Sequence, residues 1–380
     1  MKKNTFMEFF AGGGMARAGL GAGWECVFAN DISKTKAESY TANWGNSDLV
    51  VGDVFDLKLQ QLPQRVVDLA WGSFPCQDLS LAGNGAGLSG GRSTAFWGFW
   101  ELMKGLQKLG KKPRGIVLEN VVGTLTSRDG NDFSAIVSAV LAAGYRVGAV
   151  VIDAVHFVPQ SRPRVFFVAI DNEIAIPDDL CVDGPVSAWH NASLIRAFHR
   201  LPARAKADWI WWNLPTQVGP TATLDDIVEA NPTGVAWHTA IETKKILAMM
   251  SPINRRKVIE AQAVGRLKVG TIYRRTRLGE QRAEVRFDGI SGCLRTPSGG
   301  SSRQTIIVVR GSEIRTRLIS PRETARLMGL PDSYVLPGRY NDAYHLAGDG
   351  VVVPVVTHIA KSILNPVLKT TRRADIRSVV

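Results

Sequence analysis

The first 170 residues alternate short apolar runs with glycine-rich or polar turns and amphipathic stretches. Residues 5–10 form an apolar run, followed by Ala11-Gly12-Gly13-Gly14 and the helical stretch Met15-Ala16-Arg17-Ala18-Gly19-Leu20. Similar runs at 25–31, 49–51, 66–71, 115–122, 147–153 and 164–170 predict further strands. Apolar residues without strict alternation are the pattern of strands buried on both faces, as in a parallel sheet covered by helices. The run 94–109, with Phe96, Phe99, Trp100, Leu102 and Met103, predicts a core-packing helix. This rhythm stops near residue 175. Beyond it, Pro177, Pro185, Pro202, Pro215, Pro220, Pro232 and Pro252 divide the chain. A second, smaller and irregular domain is expected there, with Trp209, Trp211 and Trp212 in its core. Ser320, Pro321 and Glu323 announce a capped helix. The expected organisation is 1–178 with 335–380 as one domain and 179–334 as the other.

Several polar groups fall at the carboxyl ends of these strands, where open α/β sheets bind ligands. The glycines at 12–14 let the backbone approach a ligand closely. The spacing Gly12-x-Gly14-x-x-Arg17 does not complete the dinucleotide fingerprint, which argues against NAD. Asp31 could accept from ribose hydroxyls, or it or Ser33 could cap the next helix. Asp53 could accept from an adenine amino group.

Pro75 ends the strand 66–71, which puts Cys76 at a strand end ahead of the small-residue loop 81–91. A cysteine there under a mobile lid is a candidate nucleophile; the bland alternative is a buried, inert thiol. Glu119 ends another strand, where a carboxylate is costly unless paired or in use. Its burial would raise its pKa toward a proton-donating range. Arg162 and Arg164 alternate at strand spacing and so point the same way; converging beside Glu119 they would suit a polar, partly anionic substrate, the alternative being a surface salt-bridge pair. The four cysteines are far apart and near no histidine at ligand spacing, so no metal site is expected.

Charge narrows the partner. The 380 residues carry a formal net charge of +12. Between Arg255 and Arg286 there are ten Lys/Arg and three Glu, a local net of +7. A local excess of this kind favours nucleic acid over a generally basic surface. The loop 295–303, flanked by Arg295 and Arg303, suits a phosphate backbone. No apolar run reaches the ~20 residues of a bilayer span, and the start lacks a signal-peptide pattern. The expected setting is cytoplasmic and nucleoid-associated.

Taken in order, these segments resemble the motifs of the DNA (cytosine-5)-methyltransferase family, of the bacterial modification type. Phe10-Ala11-Gly12-x-Gly14, Gly52-Asp53-Val54, Phe74-Pro75-Cys76-Gln77 with Ser80, Glu119-Asn120-Val121 and Gln160-x-Arg162-x-Arg164 carry the likeness. So do the run Arg322 to Asp332 and Gly348-Asp349-Gly350-Val351, where Asp349 stands in place of the usual Asn. Residues 180–287 match no motif.

The resemblance implies a Rossmann-like α/β fold of S-adenosylmethionine-dependent methyltransferases, with a mixed sheet and a smaller target-recognition domain. It implies that Cys76 adds to carbon 6 of a flipped-out cytosine, and that Glu119 acts at ring nitrogen 3. Arg164 would hold oxygen 2, supported by Arg162. S-adenosyl-L-methionine would lie along Phe10, Ala11, Gly12, Gly14, Asp31, Ile32, Asp53, Val54, Pro75, Asp349 and Val351. Double-stranded DNA would meet Gln77, Ser80, Arg92, Gln160, Arg295, Ser298, Gly299 and Arg303. The implied protein is a monomer, off the membrane, with a restriction endonuclease as its functional partner. An enzyme acting on RNA, or a non-catalytic DNA-binding regulator on the same fold, are the alternatives.

Overall fold

A computed structural model describes residues 3–75, 95–217, 219–220, 222–277, 279–295 and 303–369. Cys76, Gln77, Ser80, Arg92, Ser298 and Gly299, and the 81–91 loop, lie outside the described residues. The chain divides into two compact units, residues 1–152, 163–216 and 353–380, and residues 153–162 and 217–352.

The first unit is built on a seven-stranded sheet. Its strands are β1 (Asn4–Phe9), β2 (Trp24–Asp31), β3 (Leu49–Val51), β4 (Leu69–Gly72), β5 (Gly115–Val121), β6 (Tyr145–Asp153) and β7 (Pro163–Asp171), in the order β3-β2-β1-β4-β5-β7-β6. The first five run parallel to their neighbours, and β7 is antiparallel to β5. Strand order reverses between β1 and β4, which defines the ligand crevice of such a sheet. β4 is shorter than its apolar run, because Val66 and Val67 belong to the turn entering it.

Helices α1 (Met15–Leu20), α2 (Lys34–Trp44), α3 (Ala95–Lys108) and α4 (Asn131–Ala142) follow their strands. On α3, Phe96, Phe99, Trp100, Leu102, Met103 and Leu106 are buried. The helix Val353–Ile359 returns to this unit and packs on α1, where Thr357 Oγ1 donates to Gly19 O at 2.7 Å. The stretch Tyr340–Leu368 has the length and apolarity of a membrane span. Its helix breaks at 350–352, and most of its apolar window is buried, as in a core helix.

The expected boundaries at 179 and 335 both move, the second to 353. Residues 179–216 belong to the first unit. A two-strand ribbon of β8 (Cys181–Val182) and β9 (Trp211–Trp212) carries the tryptophans onto it. Trp209 packs 5.8 Å from the Phe133 ring, and Trp212 Nε1 donates to Val168 O at 3.2 Å. The tryptophans are core, as expected, but of the first unit.

The second unit is regular where irregularity was expected. Strands β10 (Lys268–Arg277), β11 (Glu280–Arg286), β12 (Thr305–Arg310) and β13 (Glu313–Leu318) form an antiparallel sheet ordered β11-β10-β12-β13. Ile272, Ala283, Val285, Ile307 and Val309 pack with Ile246 and Val258 from two flanking helices and with Met250 between those helices. The Arg317 guanidinium and Glu323 carboxylate form a fully buried pair at 2.6 Å. Ser320 caps the helix Pro321–Leu327 as predicted.

Candidate active site

Phe9 and Gly72 are register partners at the ends of β1 and β4. Ser73 N–H donates to Phe9 O at 3.4 Å. The glycine turn and the segment Ser73–Pro75 therefore leave the sheet side by side at the topological switch point. Phe10, Gly12 and Gly14 have φ of 57°, 56° and 76°. The left-handed region costs a phenylalanine free energy, and strain of that kind concentrates at ligand sites.

Asp31 holds the turn. Its Oδ2 accepts from Gly12 N–H and its Oδ1 from Ser33 N–H, each at 2.8 Å. Ser33, rather than Asp31, caps α2. Asn30 Nδ2 donates to Val50 O and Gly52 O at 3.0 Å, binding the end of β2 to the Gly52-Asp53 turn. Asp53 Oδ1 accepts from Phe55 N–H at 3.1 Å. Ile32 is 66% exposed beside this edge, a free apolar surface. Val54 is buried, so only its backbone is offered to a ligand.

The turn is closed from behind by residues that the sequence did not single out. Trp44 Nε1 donates to Gly13 O at 3.0 Å. A Cβ at Gly14 would come within 2.5 Å of that nitrogen. The Arg17 guanidinium lies 5.7 Å and 5.3 Å from the Tyr40 and Trp44 ring centres and donates to Tyr40 Oη at 2.8 Å. Beneath them Glu8 is buried. Burial pushes its carboxyl up to about 8, against the opposing N–H groups of Arg17 and Ala16. Burial likewise pushes the Cys26 thiol up to about 12, which leaves it an inert core cysteine.

The second half of the crevice is a carboxylate and a guanidinium. Glu119 Oε1 lies 3.1 Å from Arg164 Nε, both side chains being largely buried. Arg164 also donates to Pro163 O. Next to Glu119, Asn120 Nδ2 donates to Phe74 O at 3.3 Å, and Asn120 Oδ1 accepts from Val121 N–H at 2.8 Å. The Asn thus ties the end of β5 to the peptide just ahead of Pro75 and Cys76. Pro75 itself is exposed.

Two expectations need correction. Arg162, expected with Arg164 beside Glu119, bonds backbone carbonyls of the second unit. It precedes β7, is 2% exposed, and spends its guanidinium inside the second unit. Nη1 donates to Leu294 O at 2.9 Å, and Nη2 to Gly348 O and Gly350 O at 2.8 Å. It staples the loop at Leu294 to the C-terminal end of the helix Tyr340–Asp349, where the exposed Asp349 lies between the bonded carbonyls. Gln160, expected to face DNA, is wholly buried. It donates to Leu327 O at 2.8 Å and accepts from Leu294 N–H at 3.1 Å. Val351 is a core residue. Arg295 is exposed, and Arg303 donates to Asn341 Oδ1 at 2.5 Å over the Tyr340 ring.

A sheet of this order, with a strained glycine turn at its switch point and acids ending the next two strands, defines a nucleoside-cofactor-dependent group-transfer enzyme. The chain belongs to the C-5 cytosine-specific DNA methylase family, whose model matches residues 4–365. It is a DNA (cytosine-5)-methyltransferase, and its methyl donor is S-adenosyl-L-methionine. The chain is 27% identical over 363 residues to the Type II methyltransferase M.HhaI of Haemophilus parahaemolyticus, covering 94% of this chain and 93% of that one. It is 25% identical over 378 residues to M.HaeII of Haemophilus aegyptius, covering 98% and 96%. Among solved structures, the Entamoeba histolytica methyltransferase EhMeth aligns with a TM-score of 0.64 at 14% identity, covering 95% of this chain and 98% of that one. The S. pombe Dnmt2 methyltransferase aligns at 0.58 and 17%, covering 96% and 99%. Both of these show the fold alone.

The described residues fit the donor. Among the described residues, a Cβ at Gly12 would meet only Lys36 Cδ, at 3.9 Å, and a Cβ at Gly52 nothing within 4 Å. The edge is open, with two carboxylates and an exposed isoleucine along it.

Proposed function

We propose that the enzyme methylates carbon 5 of a cytosine flipped out of double-stranded DNA, through a covalent adduct of Cys76 at carbon 6. The Glu119–Arg164 pair, set beside the Asn120–Phe74 tether that leads into Pro75-Cys76, carries this reading. Carbon 5 of cytosine is a poor nucleophile. Addition of the Cys76 thiolate to carbon 6 makes it enamine-like, provided that the negative charge reaching ring nitrogen 3 is stabilised. Glu119, held by Arg164, is placed to supply that proton or hydrogen bond. Arg164 is the cation for oxygen 2. S-adenosylmethionine supplies an electrophilic methyl sulfonium. Loss of the carbon 5 proton then expels the thiolate and restores the aromatic ring.

The second unit, 153–162 with 217–352, is the target reader, its basic stretch 255–286 supplying affinity for the phosphate backbone. Gly12, Gly14, Asp31, Ile32 and Asp53 line the donor site. The target carbon is stacked inside the duplex, so the base must leave the helix. The Type II names of the relatives support a restriction endonuclease as functional partner; a monomer working at the nucleoid in the cytoplasm completes the reading.

The test is transfer of labelled methyl to mixed-sequence duplex DNA by wild type and Cys76→Ser. The expected result is label in 5-methylcytosine with wild type and none with the variant. Transfer to RNA alone, or equal transfer by Cys76→Ser, would overturn the reading.

A further inference from the structure

The hairpin β10–β11 forms the edge of the second unit's sheet, and its two faces differ. Ile272, Ala283 and Val285 point into the core. The alternate positions Thr271, Tyr273 and Arg275, with Glu284 and Arg286, line an open cleft of about 320 Å³ together with Arg295. A two-stranded ribbon is one of the elements that the major groove of DNA admits.

The cleft is ordered. The Arg275 guanidinium lies 5.0 Å from the centre of the Tyr273 ring, and that of Arg295 lies 5.9 Å from the same ring. Arg275 Nε is 3.4 Å from Glu284 Oε2. Arg275, Arg286 and Arg295 alone would suit a phosphate. The Glu284 carboxylate beside Arg275 does not, because it repels phosphate oxygens. An arginine beside a glutamate instead matches a G·C pair. Guanine presents O6 and N7 as acceptors, and its cytosine presents the N4 amine as donor.

Gln304 supports a polar ligand independently. It lines the cleft and is 1% exposed, yet neither its Nε2 nor its Oε1 has a hydrogen-bond partner. A buried amide left unmet is uncommon in folded proteins, and waters that bridge to bases meet such groups at DNA interfaces.

We propose that this cleft reads a G·C base pair of the target sequence in the major groove, with Arg275 on guanine O6 and N7 and Glu284 on the cytosine N4 amine. Tyr273 is the platform that fixes the plane of the Arg275 guanidinium. The inference rests on the reading of the enzyme as a duplex-DNA methyltransferase and adds the residues that set its sequence choice.

The experiment is genome-wide mapping of 5-methylcytosine in a host without cytosine methylation that expresses wild type, Arg275→Ala or Glu284→Gln. The wild-type site should contain a fixed G·C pair besides the target cytosine. In Arg275→Ala the preference at that pair should fall on the order of 10- to 100-fold, with the other positions kept. Glu284→Gln should loosen the same pair. Both side chains are solvent-accessible, so the fold should survive either change. A site unchanged in both variants, a uniform loss of methylation at an unchanged site, or a wild-type site with no second G·C pair would overturn the inference. A wild type that methylates no cytosine in duplex DNA would instead overturn the proposed function itself.

Discussion

The Glu119 carboxylate and the Arg164 guanidinium meet at 3.1 Å on neighbouring antiparallel strands, β5 and β7. Glu119→Gln preserves size and removes the proton donor. Methyl transfer should fall by about 10²- to 10⁴-fold, the usual worth of a positioned acid or base. Equilibrium binding of S-adenosylmethionine should change little. Single-turnover transfer and donor titration, measured together, check this. A parallel loss of donor affinity would contradict it.

Arg162 bonds Leu294 O, Gly348 O and Gly350 O at once, all within the second unit. A lysine at this position carries one point charge in place of a planar fork and cannot satisfy all three carbonyls. Hydrogen bonds to a charged donor contribute about 1.5–3 kcal/mol each, so Arg162→Lys should destabilise the second unit by about 2–4 kcal/mol. Chemical denaturation should show the loss. Donor binding at the proposed Gly12, Gly14, Asp31 and Asp53 site should persist while transfer to DNA falls.

At Gly14, φ is +76° and a Cβ would come within 2.5 Å of Trp44 Nε1. Gly14→Ala therefore meets both a backbone penalty of about 1–2 kcal/mol and a clash with the residue that holds Gly13 O. The Kd for S-adenosylmethionine should rise about tenfold or more. Adding Trp44→Leu should relieve the clash and recover part of the affinity, leaving the backbone penalty. Calorimetric titration of the three proteins reads both effects.

The parallel sheet was legible because strands buried on both faces read as plain apolar runs, each ending at a polar residue that faces the crevice. Asp31, Asp53 and Glu119 could be placed on that basis. Arg162 and Gln160 were misplaced because spacing within a motif does not say which polar side chain turns inward. Their partners, Leu294 and Gly348, lie more than 130 residues away in the chain. The boundary near 179 was misplaced because prolines mark breaks in local structure, whereas the unit to which Trp209 and Trp212 belong is set by Phe133 and Val168. The second unit's sheet was hidden because Arg274 and Arg275 interrupt the alternation that Ile272 and Val285 otherwise show. The chemical meaning of Tyr273 and Glu284 appears only once β10 and β11 are paired.

Glu8 gives the protein a pH dependence of unusual sign for a carboxylate. Burial holds its folded pKa at about 8, above the ordinary 4.5. Between those values the folded chain binds a proton that the unfolded chain has released. Stability from this group is full below about pH 4.5, declines as pH rises, and is gone above about pH 8. Glu8→Gln keeps an acceptor for the Ala16 and Arg17 N–H groups and cannot ionise. Wild type should therefore lose stability relative to the variant from pH 5 to pH 8, by an amount on the order of a few kcal/mol. Urea unfolding at pH 5, 6.5 and 8 measures the difference. Equal slopes for the two proteins would mean that Glu8 is ionised throughout and that another group satisfies its charge.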